Sequence, residues 1–464
     1  TPHPRLNLGS ARRANPACLG IRRIRRQKKS EMWNCGKDAI QKMLSGHGAS
    51  AKSAPFLIDL SIKNNRFLFQ TSNFVILPMY KRRFVARLEE RFQSEAPLIQ
   101  LLIGPRQVGK TTGVRQFLQR SQRPFCYANA DDVLVSDRNW LLEQWQKALA
   151  LGDGALLVID EIQKIPNWAE SIKAHWDAEP GRLRVLLLGS SALQLHGGLK
   201  ESLAGRFELT RVQHWSFAEL REAFGYDLER YLNYGGYPGA VQFENDPDRW
   251  YAYMKESIIE AVIGKDILQN RKVGNPALFR QAFEILCHYP AQEISYTKLL
   301  GQLQERGNTD LVKYYIELYA GAFLIYSLQK YSEKAWLSRS TSPKMLPACP
   351  ALHAMADGPL SASDAERRGR VFELAVGAEL LHLPGELFYW REKQAEVDFV
   401  YKYHGRLFAI EVKSGRKKST KGLKAFKEKF PNACGIIVTP ENFPEFSENP
   451  ALFLAKRVAH GGGQ

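Results

Sequence analysis

The sequence of 464 residues contains no apolar stretch near the ~20 residues that a helix needs to cross a bilayer. The longest apolar runs lie near Pro97–Gly104 and Ala155–Asp160, and both have the length of a buried strand. The apolar share of 44% is enough for sizeable cores, and the chain is long enough for roughly two to four domains. We therefore expect a soluble protein with no membrane partner.

Cysteine is also scarce and scattered. No two of the six cysteines form a Cys-x-x-Cys pair: Cys18, Cys35, Cys126, Cys287, Cys349 and Cys434. This spacing argues against a disulfide framework and against a zinc site. It fits a reducing compartment, and we predict a cytoplasmic protein.

Acidic residues are absent from Thr1–Ser30 and rare as far as residue 78. Residues 1–78 hold 14 Lys and Arg against 3 Asp and Glu, a surplus of 11 within the net charge of +17. The other residues are close to balanced, so the net charge is poor support for nucleic-acid binding.

The same segment admits three interpretations. It could be an Arg-rich organellar transit peptide, a basic arm for nucleic acid or anionic lipid, or residues that precede the natural start at Met79. We favour the last, because an amphipathic helix begins at once in MYKRRFVARLEERF. We expect residues 1–78 to be a disordered basic extension.

A phosphate-binding loop follows this helix. The stretch from Gly104 to Thr111 matches G-x-x-x-x-G-K-[ST], between a strand-like PLIQLLI and a helix-like TTGVRQFLQRS. Glycines let backbone N–H groups point at phosphates, Lys110 supplies a cation, and the Thr111 hydroxyl can bind Mg²⁺. The predicted nucleotide contacts are Gly104, Pro105, Arg106, Gln107, Val108, Gly109, Lys110, Thr111 and Thr112.

The next strand supplies carboxylates for the same site. In ALLVIDEIQKIP an apolar strand ends in Asp160 and Glu161. We expect Asp160 to hold Mg²⁺ and Glu161 to orient and deprotonate the attacking water. The pair thus indicates hydrolysis of ATP with Mg²⁺ as cofactor.

Two further polar residues have open roles. Ser190, at the tip of LRVLLLGSSALQ, either senses the γ-phosphate or caps a helix. Arg206, after Gly205, is either an arginine finger, in the same subunit or from a neighbour in a homo-oligomer, or a solvated surface residue. Trp168 and Trp176 are interpreted as core residues.

The motifs GPRQVGKTT, VIDEIQKIPNW, LLLGSSALQL and YLNYGGYPGAV occur in an order that resembles prokaryotic AAA+-superfamily ATPases with a C-terminal domain of unknown function. The resemblance implies a P-loop α/β domain with a helical extension, placed at residues 79–265. It also implies the Gly205-Arg206 pair. The family's arginine-aspartate pair reads Lys265-Asp266 here, which leaves the role of the basic residue open.

Three short amphipathic helices and an alternating strand follow: ALFRQAFEILCHY, SYTKLLGQLQER, DLVKYYIELYAGA and FLIYSLQKY. We interpret residues 270–337 as a winged-helix segment. The third helix offers few base-reading side chains, so a rigid spacer or oligomer contact is favoured over DNA binding. Residues 338–363, rich in Ser, Pro and Ala, are predicted to be an irregular connection.

The C-terminal residues 364–464 contain a helix, a hairpin strand and a buried strand. Asp398 lies in EVDFV, and Glu411 and Lys413 bracket one residue in IEVKSG, so these two share one strand face. This set resembles the PD-(D/E)XK nucleases, with Glu373 as the helix acid. We expect Glu373, Asp398 and Glu411 to bind Mg²⁺ and Lys413 to activate water. A strand-face ion pair is the alternative.

The fold class predicted is therefore α/β: a P-loop AAA+-type ATPase domain, a winged-helix segment and a restriction-endonuclease-like domain. One hypothesis is an ATP-hydrolysing enzyme whose C-terminal domain cuts DNA. The other is a nucleotide-switched regulatory protein whose nuclease-like domain is inactive and only binds DNA or a protein partner.

Overall fold

The computed structural model describes residues 80–94, 98–132, 139–189, 203–303, 308–333, 341–361, 363–415 and 420–460. All of them belong to one compact unit, Met79–Gln464. The expectation for residues 1–78 lies outside the described residues.

The first part is a parallel sheet with helices on both faces. Its strands are β1 (Ile99–Ile103), β2 (Phe125–Asn129), β3 (Leu156–Asp160), β4 (Arg184–Gly189) and β5 (Phe207–Arg211). They lie in the order β2-β3-β4-β1-β5, and every pairing is parallel. Its helices are α1 (Arg83–Gln93), α2 (Lys110–Arg120), α3 (Trp140–Leu149) and α4 (Trp168–Ala178).

Alternate residues of the central strands β1, β3 and β4 enter two different cores, which is why these strands are nearly continuous apolar runs in the sequence. Leu102, Val158 and Leu186 pack in the core that α1 and α2 cover. Leu101 and Ile159 pack in the other core, with α3 and α4. Both cores are closed by helices, and the loops at the carboxyl ends of the strands are left to form a site.

A helical extension follows the sheet. It consists of α5 (Phe217–Phe224), α6 (Leu228–Tyr234), a 3₁₀ segment (Pro238–Phe243), α7 (Pro247–Ala252) and two π-helical segments (Tyr253–Ile259 and Ala261–Leu268). A Ser216–Glu219 capping box starts α5. The π-helical stretch is unusual, because π-helix mostly occurs as single turns near functional sites.

The next segment has the order helix, strand, two helices, two strands. Its elements are α8 (Pro276–Cys287), β6 (Gln292–Glu293), α9 (Tyr296–Gln302), α10 (Thr309–Gly321), β7 (Ile325–Leu328) and β8 (Lys344–Pro347). The strands form an antiparallel sheet in the order β6-β8-β7. The three helices and the first hairpin strand lie where the sequence predicts, and the winged-helix assignment stays a prediction.

The irregular connection predicted for residues 338–363 is wrong. It contains β8, whose four residues are all buried, and helix α11 (Pro350–Asp357). The many Ser and Pro residues of this segment suggested a loop, although it contains a short buried strand and a helix. Pro350 occupies the first position of the helix, where proline is tolerated.

The C-terminal part packs a helix against a four-stranded sheet. Its elements are α12 (Ala365–Leu380), β9 (Glu386–Glu392), β10 (Ala395–Tyr403), β11 (Arg406–Val412), α13 (Lys421–Lys429), β12 (Cys434–Val438), α14 (Phe443–Glu448) and α15 (Pro450–His460). The strand order is β12-β11-β10-β9, with β10 antiparallel to both neighbours and β11 parallel to β12. Within the described part of the chain, no helix is both long and apolar enough to span a membrane.

Candidate functional site

The loop between β1 and α2 has the backbone of a phosphate cradle. Gln107 has φ 62° and Gly109 has φ 84°, both in the left-handed region. For glutamine this conformation is costly, and such strain is commonly retained at binding sites. Gly104 is needed for a different reason, because a Cβ there would lie 2.2 Å from the carbonyl oxygen of Val212. The glycine lets the loop start directly against Val212, the residue that follows β5.

The Lys110 ammonium lies inside this loop. Its Nζ donates to the carbonyl oxygens of Gly104 at 2.9 Å and of Pro105 at 2.5 Å. Burial lowers the pKa of Lys110 to about 8, although Glu161 and Asp160 partly offset this effect. The cation thus has carbonyl partners but no carboxylate in direct contact among the described residues, and a phosphate is a better partner.

Asp160 is held at the end of β3 by three donors. Its Oδ2 accepts from Thr111 Oγ1 at 2.7 Å and from Tyr127 Oη at 2.9 Å, and its Oδ1 accepts from the Glu161 backbone N–H at 3.0 Å. The contact with Thr111 brings together two hard oxygen donors from separate motifs. Mg²⁺ prefers such oxygens and needs few protein ligands. Tyr127 lies on β2, outside every motif recognised in the sequence.

Glu161 occupies a strained backbone position next to Asp160. Its φ of 54° and ψ of 38° are left-handed, which costs about 1–3 kcal/mol in a residue other than glycine. Its carboxylate accepts a hydrogen bond from Gln163 Nε2 and acts electrostatically on Lys110. The chain turns sharply here, so two consecutive carboxylates remain at the carboxyl edge of the sheet.

An ion pair joins the loop to the π-helical segment. Arg106 donates from Nε and Nη2 to both carboxylate oxygens of Asp266, at 2.7 and 2.6 Å. Asp266 is buried, whereas Lys265 beside it is exposed. The hydrogen bonds to Asp266 raise the pKa of Arg106. Asp266 therefore contacts the loop. This contact could not be predicted from the sequence, because Arg106 and Asp266 are 160 positions apart.

A second arginine holds the loop from the other side. Arg82 is buried, donates to the Val108 carbonyl at 2.9 Å, and forms an ion pair with the buried Glu219 at 2.6 Å. Trp215 Nε1 donates to the same carbonyl at 2.9 Å. The loop is thus fixed by contacts from the residue before α1 and from the helical extension.

Arg206 lies at the wrong end of the sheet for a role in its own subunit's site. It precedes β5 at the level of Ile99, where the parallel strands begin, whereas the phosphate loop follows their carboxyl ends. Its guanidinium binds both oxygens of Asp177, at 2.7 and 3.0 Å. The arginine-finger prediction therefore stands only for a neighbouring subunit. Ser190 lies outside the described residues, and Trp168 and Trp176 are buried in the core.

The predicted C-terminal residues come from three neighbouring elements: Asp398 is on β10, Glu411 is on β11 with Lys413 directly after it, and Glu373 is on α12. The Lys413 ammonium lies 2.6 Å from Glu411 Oε1, which is the strand-face ion pair considered above. Asp398 Oδ2 accepts from the Val412 backbone N–H at 2.7 Å, and a bulge between β9 and β10 begins beside it. Burial raises the pKa values of Asp398 and Glu411. Glu411 Oε2 is buried and meets no described hydrogen-bond donor.

A lysine that the sequence analysis missed fills the space beside them. Lys344, on β8, has a side chain only 2% exposed. Its Nζ lies 2.6 Å from Glu373 Oε1, 3.6 Å from Glu396 Oε1 and 3.2 Å from the Asp398 carbonyl oxygen. These carboxylates outweigh the effect of burial and raise the pKa of Lys344.

No group of three or more His, Cys, Asp or Glu side chains in the described residues is placed to hold a metal ion. Lys344 and Lys413 supply positive charge beside Glu373 and Glu411. The metal site of Glu373, Asp398 and Glu411 stays a prediction. Burial raises the pKa of Glu373 to about 7 despite the Lys344 ammonium.

Comparisons with known proteins divide the chain into three matched segments. Residues 97–221 match the family described as AAA domain. Residues 225–355 match "Domain of unknown function (DUF8612)", and residues 368–454 match "Domain of unknown function (DUF4143)".

Two similar whole proteins come from mycobacteria. "Uncharacterized protein Mb2031c" of Mycobacterium bovis and "Uncharacterized protein Rv2008c" of Mycobacterium tuberculosis are each 29% identical over 341 residues. The aligned part covers 72% of this chain and 74% of each relative. Neither name carries an activity.

Among solved structures, the Thermotoga maritima RuvB Holliday junction branch migration motor is similar at 15% identity and a TM-score of 0.28. The similarity covers 56% of this chain and 93% of that one, and says nothing about the activity of this chain. The segment at 97–221 that matches the AAA domain contains the phosphate-binding loop and the strand that ends in Asp160.

Proposed function

We propose that this protein binds ATP with Mg²⁺ and hydrolyses it at the carboxyl edge of the parallel sheet. The observation that carries the proposal is the contact between Thr111 Oγ1 and Asp160 Oδ2 at 2.7 Å, beside the buried Lys110. A hydroxyl and a carboxylate from different motifs would bind the metal together, while the lysine meets the phosphates. The cation, when bound, would neutralise charge that develops on the phosphate oxygens.

The chain's own groups have distinct tasks in this scheme. Lys110 exchanges the carbonyl oxygens of Gly104 and Pro105 for phosphate oxygens, which are stronger acceptors for an ammonium. Glu161 orients a water molecule in line with the terminal phosphate and accepts its proton. Asp160 cannot serve as this base, because all three of its short contacts fix it toward Thr111 and Tyr127 and the Glu161 amide.

The Glu161→Gln variant tests the assignment of the base. Loss of the proton acceptor should lower the turnover number about 10²–10⁴-fold, while ATP binding is retained. Steady-state phosphate release and calorimetric titration with ATP measure the two quantities. Glu170→Gln, an acidic residue on α4, is the matched control. Turnover by Glu161→Gln at the wild-type rate would remove Glu161 from the mechanism.

For the C-terminal part we propose the second hypothesis, a domain of nuclease-like topology that does not cut nucleic acid. Its support is Lys344, whose ammonium lies beside Glu373 where a metal ion was predicted. We retain the nuclease-like fold in this proposal because of the order of its elements. A helix is followed by three antiparallel strands, a second helix and a parallel strand. ATP binding or hydrolysis would then switch a regulatory or partner-binding state.

Incubation of the full chain with Mg²⁺ or Mn²⁺ on linear and single-stranded DNA, with and without ATP, separates the two hypotheses. We expect no cleavage product under any of these conditions. Cleavage that Asp398→Ala abolishes and the matched exposed variant Asp248→Ala retains would restore the nuclease hypothesis.

A further inference from the structure

A cleft separate from the nucleotide site lies between α1, the edge strand β5 and the turn after α12. Two cavities of about 490 and 560 Å³ adjoin there, since Arg87, Arg91, Arg211 and His382 line both. Leu383 and Pro384 contribute apolar surface to both cavities. The cleft is therefore elongated, and its lining is apolar and cationic, with Glu219, Glu379 and Glu448 at the first cavity only.

One wall of the cleft carries a row of arginines. Arg83, Arg87 and Arg91 are four residues apart on α1, so they lie on one face at intervals of about 6 Å. Arg211 belongs to the opposite wall, on β5. Like charges at this helical spacing destabilise a helix unless something neutralises them.

The described partners of these arginines neutralise only the two ends of the row. Arg83 lies 3.6 Å from Glu222, and Arg91 lies 3.9 Å from Glu208 and donates to Thr210 Oγ1 at 2.5 Å. No acidic side chain in the described part of the chain comes within ion-pair distance of Arg87 or Arg211. Arg87 and Arg211, which line both cavities, thus have no ion-pair partner among the described residues.

Two pKa shifts agree with this charge imbalance. Burial and then the neighbouring Arg91 lower the pKa of Arg87, and Glu90 offsets this only in part. Burial, together with Arg82, Arg83 and Arg87, lowers the pKa of His382 to about 4, although Glu219 acts in the opposite direction. Such shifts are expected where cations are gathered without an anion.

We propose that this cleft binds the phosphodiester backbone of single-stranded nucleic acid, with Arg87 and Arg211 contacting phosphates from opposite walls. The planar guanidinium matches phosphate oxygens in a bidentate manner. A linear ligand with a charge on every unit fits an elongated cleft with a row of cations at regular spacing. The apolar surface of Leu383 and Pro384 gives unstacked bases a place to lie.

The cleft wall is held rigid by the nucleotide domain. Arg82, immediately before α1, is fixed by the Val108 carbonyl and by Glu219. The arginine row therefore starts from a buried anchor, and little ordering is required when a ligand binds. The cleft is a different surface from the ATP site, and nucleic-acid binding there does not require hydrolysis.

Fluorescence anisotropy of a fluorescein-labelled oligothymidylate of about 15 nucleotides, titrated with the full chain, tests the inference. The Arg87→Gln/Arg211→Gln variant should bind at least about tenfold more weakly than the wild type. The slope of log affinity against log salt should fall by about 1.4, since each phosphate contact on a single strand contributes about 0.7.

Arg249→Gln/Arg406→Gln is the matched control, because both residues are exposed outside the cleft and the same charge is lost. We expect its affinity to stay within about twofold of the wild type. Unchanged melting temperature and ATP binding in both variants show that the fold is intact. Equal weakening in the two variants, no oligonucleotide binding by the wild type, or equally strong competition by polyglutamate would overturn the inference.

Discussion

The phosphate loop and the C-terminal carboxylate cluster each place a buried lysine among acidic residues, yet the two lysines differ in charge balance. Lys110 donates to carbonyl oxygens, and burial lowers its pKa to about 8. Lys344 lies 2.6 Å from the Glu373 carboxylate, and its pKa is raised. The first cation gains from an incoming anion, whereas the second already has one. We infer that a buried lysine indicates an anion-binding site where no carboxylate pairs with it.

The largest expected effect comes from removing the unsatisfied cation. Lys110→Ala should reduce ATP turnover by about 10³-fold or more, because the main cation facing the phosphates is lost. Phosphate release and ATP titration measure the effect, and Lys147→Ala on α3 is the control. If Lys110→Ala binds ATP as tightly as the wild type, Lys110 does not contact the phosphates, and the contrast drawn with Lys344 is wrong.

Removing Lys344, the lysine that is already paired with a carboxylate, should lower the stability of the fold. Lys344→Met leaves the half-buried Glu373 without its partner and should lower the free energy of unfolding by about 3 kcal/mol. Urea denaturation measures this, and the double variant Lys344→Met/Glu373→Gln should regain most of the loss. The exposed Lys402→Met is the control. If Lys344→Met unfolds like the wild type, the ammonium is not a structural counter-ion.

Breaking the ion pair between Arg106 of the phosphate loop and Asp266 of the π-helical segment should have a smaller effect, which falls on nucleotide affinity. Asp266→Asn removes the charge that orients Arg106 at 2.6 Å, and we expect ATP affinity to fall by about tenfold. Calorimetry measures it, with Asp248→Asn as the exposed control. Tighter binding in Asp266→Asn would mean instead that Asp266 holds Arg106 away from the phosphates.

The smallest effect is the pH dependence of ATP binding. Burial lowers the pKa of Lys110 to about 8 from its usual 10.5, so the cationic form that binds phosphate is lost as pH rises through 8. Affinity should be nearly constant below pH 7 and fall by at most about tenfold per pH unit above 8. Calorimetry in buffers of different ionisation enthalpy should show proton uptake near pH 8. A flat profile from pH 7 to 9 would contradict the assignment.

Much of the fold was predictable where the information is local. The run from Ile99 to Arg120 contains a strand, a glycine loop and a helix in that order. The strand that ends in Asp160 is apolar up to that residue. The connection at residues 338–363 was mispredicted because its strand β8 has only four residues. Strands this short show too little periodicity to separate them from a loop.

The sequence by itself determined the phosphate loop and its two following carboxylates, because their residues are close along the chain and their backbone dictates where they point. Only the tertiary structure decided which charges are paired. Arg106 meets Asp266 across 160 positions, and Lys344 meets Glu373 across 29 positions from a strand that no motif marked. An ion pair depends on distance and burial in the folded chain, and neither can be derived from the order of the residues alone.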